Sequence, residues 1–311
     1  MSSDHLVNNT SPLVSIVLCA YNGACYIRNQ LDTIVNQTYD NIEVIISDDR
    51  STDSTLLVIE EFCQKYDFIR LYRNEYNLGL VKNFEKAIQL ARGEYIALAD
   101  QDDVWHLSKI KDLIENIGEN ILIYHNSSFI DYDGKKLTNE TMATRNVMYD
   151  GRSCLPFIYS NCVSGHAMLF KRELVPFIIP FDKRFFHDWW IVYASLNKGS
   201  IKYLDKVLVQ YRQHGRNVTD PLRINTSHPR IKDFPVSEEW AAYCASYPYN
   251  DDSALVRSVY QVISNVYKRK KKVKSFLFLL KYFNLFFYID NPPSRLWERI
   301  RIVKKIVLKK R

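Results

Sequence analysis

Four short apolar runs constrain the fold most, because segments with helical spacing of apolar residues separate them. The runs cover residues 13–19, 42–46, 68–72 and 95–99, and the helical segments cover 26–35, 54–66 and 80–91. Strand and helix alternating in this order predict right-handed crossovers and a parallel sheet. The expected fold is therefore α/β, with a mostly parallel sheet flanked by helices.

Each of these runs ends in a polar or glycine-bearing loop: Tyr21-Asn22-Gly23, Asp48-Asp49, Asn77-Leu78-Gly79 and the segment 100–103. In open parallel sheets, ligands bind beyond the carboxyl ends of the strands. The four loops are therefore expected at one ligand-binding edge. The sequence contains neither GxGxxG nor GxxxxGK[ST], which excludes the ordinary dinucleotide and P-loop sites.

Three carboxylates, Asp100, Asp102 and Asp103, arrive within four residues at the end of the fourth run. Like charges this close repel one another, and each tends to raise the pKa of its neighbours. A divalent cation offsets this repulsion, and oxygen ligands suit Mg²⁺ or Mn²⁺. The alternative is that Asp102 or Asp103 caps a helix that begins near Val104.

The rest of the chain gives weaker patterns. Residues 121–130, 162–170 and 201–211 predict strands, 139–151 lack periodicity and predict a loop, and 188–196, 237–247 and 253–267 predict helices. Gly93 is expected as the glycine that closes the helix over 80–91. The polar N-terminus, the six cysteines without metal spacing and the lack of an 18-residue apolar run lead us to expect a cytoplasmic protein.

The net charge of +7 is unevenly distributed. Residues 268–311 hold 15 Lys and Arg against 2 acids, a charge of +13, whereas the rest holds 27 basic and 33 acidic residues, a charge of −6. An acidic main body argues against a nucleic-acid-binding protein. The basic tail carries an apolar stripe (Leu296, Ile300, Val303, Val307) and predicts a contact with an anionic membrane surface. Alternatively, it is a helix pair packed on the catalytic domain or on another subunit.

The motifs, taken together in their order, resemble family-2 glycosyltransferases. The resemblance rests on residues 15–23, Gln37-Thr38-Tyr39, residues 43–53, Asn77-Leu78-Gly79, residues 91–97 and the run Asp100-Gln101-Asp102-Asp103. The form Asp-Gln-Asp-Asp-Val-Trp with a later Asp-Trp-Trp is similar to the rhamnosyltransferase-like branch. The resemblance implies the GT-A fold and an inverting transfer of a sugar from a nucleotide-sugar. It also implies an N-terminal extension (1–12), a catalytic domain (13–220) with nucleotide-sugar-binding (13–105) and acceptor-binding (106–220) halves, and a helical C-terminal region (221–311).

The resemblance also assigns a donor site. Asp48 or Asp49, with Asp48 preferred, accepts from N3–H of a pyrimidine, unless Asp49 or Ser51 only caps a turn. Asp102 is the metal ligand, and Asp103 is left as a helix cap. His214 completes the metal shell or touches phosphate, unless it is structural. The other donor-binding residues implied are Ala20, Tyr21, Asn22, Asn77, Lys82, Asp100, Gln101 and Arg212, among which Tyr21 is alternatively a core aromatic and Lys82 a solvated lysine.

A second motif, Phe186-His187-Asp188-Trp189-Trp190, corresponds to the family's Glu-Asp pair. Asp188 is implied as the general base that deprotonates the acceptor hydroxyl, and it also suits a helix N-terminus. His187 departs from the family's acid and is expected to bind acceptor or phosphate. Trp189 and Trp190 are expected to offer a stacking face for a sugar, or to belong to the core.

The leading hypothesis is a metal-dependent inverting glycosyltransferase that uses Mg²⁺ or Mn²⁺. Its expected donor is dTDP-rhamnose or a UDP-hexose, and its expected acceptor is a lipid-linked or growing saccharide of a bacterial surface polysaccharide such as O-antigen. The expected location is the inner face of the cell membrane, with the protein peripheral. The alternative is a catalytically silent nucleotide-sugar-binding scaffold protein, which the presence of both Asp102 and Asp188 disfavours.

Overall fold

The first four strands, β1 Val14–Ala20, β2 Ile42–Asp48, β3 Ile69–Arg73 and β4 Tyr95–Ala99, form a parallel sheet, as the sequence predicts. The structure is a computed structural model that describes residues 11–215, 217–219, 221–222, 237–289 and 295–308. The strand order in this part of the sheet is β3-β2-β1-β4. All seven residues of the central strand β1 are buried, because helices cover both faces of the sheet.

The pairing register brings the strand ends together. Ala20 at the end of β1 pairs with Asp48 at the end of β2, and Leu18 pairs with Ala99 at the end of β4. The loops that follow these strands therefore meet at the carboxyl edge of the sheet, as expected.

The second half extends the same sheet with mixed pairing. The strands of this half are β5 Val104–Trp105, β6 Leu122–Ile130, β7 Lys136–Thr141, β8 Met168–Lys171 and β9 Ile201–Arg212. Strand β4 pairs antiparallel with β8, β8 pairs antiparallel with β6, and β6 pairs parallel with β9. Strand β7 pairs with β6 as a hairpin.

Strand β5 corrects one expectation. Val104 pairs with Gln210 of β9, so a strand stands where a helix was expected to begin. The next helix starts at Lys109, and Asp103 is therefore not its cap. This pairing fixes the segment 100–103 against the end of β9, which leads into Arg212 and His214.

The described residues of the first half form four helices, of which the first three agree with the predicted segments. They are α1 Ile27–Val35, α2 Thr55–Lys65, α3 Leu80–Leu90 and α4 Lys109–Ile117. Gly93 does not close α3, because the helix ends at Ala91 in an extended conformation. Instead, a Cβ at Gly93 would lie 2.6 Å from the carbonyl oxygen of Leu13 and 2.7 Å from the amide nitrogen of Ser15. Glycine is therefore required for close approach to β1.

The middle of the chain is more ordered than its sequence pattern indicates. Residues 139–151, expected as a loop, contain the end of β7 and α5 Met142–Arg145. The strand expected over 162–170 begins only at Met168, after a 3₁₀ turn over Gly165–Ala167. The other helices of this part of the chain are α6 Pro156–Tyr159, before β8, and α7 Val175–Ile178 and α8 His187–Ser195, after it.

The C-terminal helices pack into the main core. They are α9 Glu238–Ser246, α10 Ser253–Tyr267, α11 Lys272–Lys281, α12 Phe283–Phe286 and α13 Leu296–Leu308. Trp240 and Phe283 are buried in the same apolar cluster as Phe157 and Trp190. Within the described ranges, no helix is both long and apolar enough to cross a bilayer.

Candidate active site

The loop after β2 forms one wall of a cleft of about 230 Å³, lined by Asp48, Arg50, Ser51, Thr52, Arg73 and Asn74. Asp48 is fully buried. One of its carboxylate oxygens, Oδ2, accepts a hydrogen bond from the amide of Ser51 at 3.0 Å. The other, Oδ1, has no partner among the described residues. A buried acceptor without a donor is costly, so Oδ1 fits a ligand N–H.

Asp49 has a different environment. Its carboxylate accepts from the backbone amides of Leu78 and Gly79 and from the side chain of Asn74, at 2.7 to 2.8 Å. Asn77 donates to the carbonyl of Asp49 and accepts from the Gly79 amide. Asp49 and Asn77 therefore fix the turn before α3.

The loop after β1 is held by Gln101. The Gln101 side chain accepts from the Tyr21 amide at 2.9 Å and donates to the Tyr21 carbonyl at 3.1 Å. A Cβ at Gly23 would lie 2.2 Å from Gln101 Oε1, so glycine leaves the room that this contact needs. Asn22, at a positive φ of 49°, accepts from the Thr52 amide. The loop that follows Ala20 is thereby fixed, and Tyr21 is 48% exposed and does not lie in the core.

The carboxylate segment divides into two clusters. Asp102 Oδ2 lies 2.8 Å from His214 Nε2, and the His214 ring stacks on Tyr26 with centroids 5.0 Å apart. Asp100 and Asp103 instead face His166, whose Nδ1 lies 3.6 and 3.5 Å from their Oδ2 atoms. The sequence prediction did not include His166.

Arg212 and Lys82 are both engaged by protein groups. Arg212 is 2% exposed, and its guanidinium donates to the carbonyl of Asp102 at 2.7 Å and to those of Asp131 and Tyr132 at 3.1 Å. Its amide donates to Asp103 Oδ1 at 3.0 Å. Lys82 forms an ion pair with Glu85 at 2.8 Å. Arg212 thus supports the carboxylate segment from behind, which differs from the phosphate contact that we expected.

The two carboxylates that face His166 have opposite electrostatic environments. Burial, strengthened by the charges of Asp102 and Asp100, raises the pKa of Asp103 well above its usual value. At Asp100 burial also acts to raise the pKa, but the hydrogen bond and charge of His166 outweigh it, so the pKa of Asp100 is lowered. Asp100 is therefore the more strongly anionic member of the pair.

Asp188 lies in the first turn of α8. Its Oδ1 accepts from the Trp189 amide at 2.6 Å. Burial raises the pKa of Asp188 to about 7, although the hydrogen bond from the Trp189 amide acts to lower it. A carboxylate with a pKa near neutrality is well matched to general-base catalysis.

The neighbours of Asp188 lie in two environments. His187 is buried and stacks on Phe84 with centroids 4.2 Å apart. Neither of its ring nitrogens has a partner within the described part of the chain, and burial lowers its pKa to about 4. Trp190 is 5% exposed and donates its indole N–H to the carbonyl of Ile178. This position makes Trp190 a core residue rather than a sugar-stacking face, whereas Trp189 is only partly buried and donates to the carbonyl of Phe157.

The donor groups near Asp102 fit a divalent cation. Asp102 and His214 present a carboxylate oxygen and an imidazole nitrogen 2.8 Å apart, each with a side chain 13% exposed. Asp100, Asp103 and His166 form a separate group, without Asp102 or His214, whose three ligand atoms lie within 4.8 Å of one another. Oxygen-rich sites of this kind suit Mg²⁺ or Mn²⁺, and the imidazole favours Mn²⁺.

Comparison with known proteins identifies the family. The sequence profile described as glycosyl transferase family 2 matches residues 15–177. The chain belongs to glycosyl transferase family 2. This glycosyltransferase is 30% identical over 221 residues to the dTDP-rhamnosyl transferase RfbG of Shigella flexneri, a match that covers 64% of the chain and 72% of the relative. It is 27% identical over 218 residues to a glycosyltransferase of Haemophilus influenzae, covering 67% and 68% of the two chains.

Solved structures support the same fold. TarS of S. aureus (residues 1–349), in complex with UDP-GlcNAc, aligns with a TM-score of 0.59 at 18% identity, over 95% of this glycosyltransferase and 90% of that chain. The same protein in complex with UDP aligns with a TM-score of 0.57 at 19% identity, over 85% and 74% of the two chains. The GT-A fold expected from the motifs is thereby confirmed, including the C-terminal helices.

Proposed function

We propose that this glycosyltransferase is an inverting enzyme that transfers a sugar from a pyrimidine nucleotide-diphosphate donor to a saccharide hydroxyl. The observation that carries the proposal is the unpartnered buried Oδ1 of Asp48 at the carboxyl edge of the sheet. A carboxylate oxygen accepts from the N3–H of uracil or thymine, whereas cytosine presents an acceptor at N3. Asp102 with His214, and Asp188, supply metal-binding and basic groups for the rest of the donor and the acceptor.

Asp188 performs the proton transfer in this proposal. The ionised carboxylate takes the proton of the acceptor hydroxyl as that oxygen attacks the anomeric carbon. The bond between the anomeric carbon and the diphosphate oxygen breaks, and its electron pair leaves with the nucleoside diphosphate. Attack on the face opposite the leaving group inverts the configuration of the anomeric carbon.

Asp102 and His214 would hold the divalent ion. Asp100, in the same segment after β4, would contact the ribose or a metal-bound water. When bound, such an ion neutralises charge on the diphosphate as a Lewis acid. Arg212 and Gln101 position the segment from the protein side. The backbone of residues 20–22 then borders the nucleotide, and Lys82, paired with Glu85 in the first turn of α3, lies near the same edge of the sheet.

The donor is best tested as dTDP-rhamnose first and UDP-hexoses second. The similarity to a dTDP-rhamnosyl transferase favours the first, and both nucleotides carry the N3–H that Asp48 would bind. We expect nucleotide release from one of these donors with Mg²⁺ or Mn²⁺, measured on the purified full chain with a panel of saccharide acceptors. Synthesis of a bacterial surface polysaccharide such as O-antigen is the process that this chemistry would serve.

Three variants make this experiment decisive. Asp102→Ala and Asp188→Ala should each abolish release, whereas Asp67→Ala, an exposed acid before β3 at the opposite edge of the sheet, should leave it intact. Calorimetry with the free nucleotide separates the two roles, because Asp188→Ala should still bind the nucleotide. Binding without turnover by the unmodified chain, over the whole donor panel, would indicate a nucleotide-sugar-binding scaffold instead.

We also propose that the enzyme works as a peripheral protein on the inner face of the cell membrane, where a lipid-linked acceptor would be. On α11, Val273 and Leu277 are 74% and 59% exposed, and Ser275 and Leu279 on the opposite side are buried. On α13, Trp297 and Leu308 are about half exposed, and exposed Arg301 and Lys304 lie between them along the helix. Aromatic and aliphatic side chains among lysines and arginines suit an anionic lipid surface.

The packing of the tail determines how membrane binding is tested. Deleting residues 268–311 would remove buried Phe283, Phe286 and Val303 from the core, so point substitutions are preferable. Leu277→Asp with Trp297→Asp should abolish flotation with anionic vesicles. Leu57→Asp, on an equally exposed leucine of α2, is the control and should float normally. Normal flotation of the double variant would refute the membrane contact.

A further inference from the structure

Lys109 is a fully buried lysine at the start of α4. Lysine is almost never fully buried unless its ammonium group is paired. Here Nζ donates to the carbonyl oxygen of His166 at 2.6 Å and lies 3.2 Å from the centre of the Trp105 ring. Lys109 thus joins α4 to the turn Gly165–Ala167.

The turn Gly165–Ala167 lies between two parts of the site, the carboxylates Asp100 and Asp103 on one side and Asp188 on the other. On one side, the His166 ring faces Asp100 and Asp103 at 3.6 and 3.5 Å. Its other nitrogen lies 3.0 Å from Ser127 Oγ, which fixes the ring orientation. The turn is therefore in contact with the carboxylate segment that follows β4.

On the other side, the turn contacts the general base. A Cβ at Gly165 would lie 3.7 Å from Asp188 Cβ and 3.4 Å from His187 Nε2, so the turn packs directly against the start of α8. Three residues therefore border the donor acids and the acceptor base together. Two local backbone hydrogen bonds close the turn, from the Ala167 amide to Ser164 and from the Met168 amide to Gly165. The hydrogen bond from Lys109 holds it from outside.

We propose that Lys109 is a positioning residue that fixes the turn Gly165–Ala167 and, through it, the spacing between the Asp100–Asp103 segment and Asp188. The catalytic part of this inference rests on the proposed function, whereas the hold on the turn does not. A methionine at position 109 would fill similar volume but leave the His166 carbonyl unpaired. The turn would then be free to shift relative to both acids.

The test compares Lys109→Met with Lys111→Met, an exposed lysine of the same helix. Hydrogen-exchange mass spectrometry on the full chain measures how firmly the turn Gly165–Ala167 is held in place. In Lys109→Met we expect exchange at least about tenfold faster in residues 164–168 and 100–103, with α2 and β1 unchanged, because the buried hydrogen bond from Nζ to the His166 carbonyl is lost. Lys111→Met should match the parent protein. No local change, or an equal increase over the whole chain, would overturn the proposal.

Enzyme kinetics then test whether the position of the turn affects sugar transfer. Lys109→Met should lower kcat by about tenfold or more while the affinity for free nucleotide, set near Asp48, stays within about twofold. An unchanged kcat together with faster local exchange would overturn the positioning role. If the parent protein transfers no sugar at all, the proposed function fails, and the exchange result still decides the hold on the turn.

A second variant covers the case in which Lys109→Met does not fold. His166→Ala keeps the backbone carbonyl that Lys109 binds but removes the ring from the carboxylates. It should lower kcat and speed exchange in 100–103 without speeding exchange at α4. Where both single variants fold, their combined loss of kcat should be smaller than the product of the single losses, because both act through one turn. Multiplicative losses or a normal kcat in His166→Ala would refute the proposal.

Discussion

At the scale of single residues, identical side chains next to each other have different surroundings. Asp48 keeps one buried oxygen without a partner, whereas Asp49 accepts three hydrogen bonds that fix the next turn. Asp102 faces His214, whereas Asp103 faces His166 and the Arg212 amide. The chemical roles therefore follow from the strand ends and their partners rather than from residue type.

Asp48→Asn should change base preference. The asparagine amide can donate to the N3 acceptor of cytosine, which the carboxylate cannot do. We expect uridine or thymidine diphosphate to bind about tenfold more weakly and cytidine diphosphate to gain relative to them, since a charged hydrogen bond is replaced by a neutral one. Calorimetry with the three nucleotides measures this, and an unchanged order of affinities would argue against a base contact at Asp48.

Asp188 gives a prediction for pH dependence. Because its pKa is raised to about 7 by burial, the base is ionised only above that pH. The value of kcat/KM should therefore rise about tenfold per pH unit up to about pH 7 and then level off. A profile from pH 5 to 9 checks this. Asp188→Asn should lose about 10²- to 10⁴-fold in kcat and with it this dependence; a flat profile in the parent enzyme would contradict the role.

Ionisation of Asp188 should also lower the stability of the folded state as pH rises. A carboxylate with a raised folded-state pKa contributes stability at low pH, and this contribution is lost as pH rises through about 7. Asn does not ionise, so the Tm of Asp188→Asn should gain on that of the parent protein between pH 4 and 7, and the gain should stay constant above pH 7. Thermal unfolding at several pH values measures the difference. A Tm difference that shrinks as pH rises would show that burial does not disfavour the ionised carboxylate.

At the scale of elements, the sequence predicted the strands and helices that depend on local residue patterns, but not those that depend on distant contacts. The four parallel strands and α1 to α3 follow from apolar spacing and the turns between them. Strand β5 was mistaken for a helix start because its two residues are extended only through pairing with β9, about a hundred residues later. His166 was missed for the same reason: the segment Gly-His-Ala has no periodicity, and its contacts with Asp100 and Asp103 arise only in the folded chain. A buried lysine such as Lys109 is likewise indistinguishable in sequence from a solvated one.

A substitution at Gly93 tests the close contact between the segment after α3 and the backbone at the start of β1. Its amide donates to Ser15 Oγ, and a Cβ would lie 2.6 Å from the backbone oxygen of Leu13, which cannot rotate away. Gly93→Ala should therefore destabilise the fold by about 1 to 3 kcal/mol, the range for overpacking. Gly215→Ala is the control, because a Cβ there meets nothing within 4 Å. Urea unfolding of both variants measures the effect, and equal midpoints would contradict the steric argument.

At the scale of the whole molecule, the helices that carry the basic charge are also part of the core. Phe286 and Phe287 contact Tyr159 with centroids 5.3 and 4.6 Å apart, and Tyr193 donates to the carbonyl of Cys244. The boundary near residue 220, proposed from the motifs, therefore separates segments that share one apolar cluster. The tail's charge faces solvent while its aromatic residues stabilise the catalytic part.

This shared cluster predicts a single cooperative unfolding transition. Removing residues 237–311 would expose Tyr159, Trp190 and Tyr193, which now pack on aromatic residues of the C-terminal helices α9 to α12 and of the loop after α9. Full burial of one large apolar side chain is worth about 1.5 to 3 kcal/mol, and total stability is about 5 to 15 kcal/mol. The shortened chain should therefore fail to fold as a stable monomer, and calorimetry of the full chain should give equal calorimetric and van't Hoff enthalpies. Two resolved transitions, or a shortened chain that unfolds cooperatively at the original temperature, would instead identify the C-terminal helices as a separate folding unit.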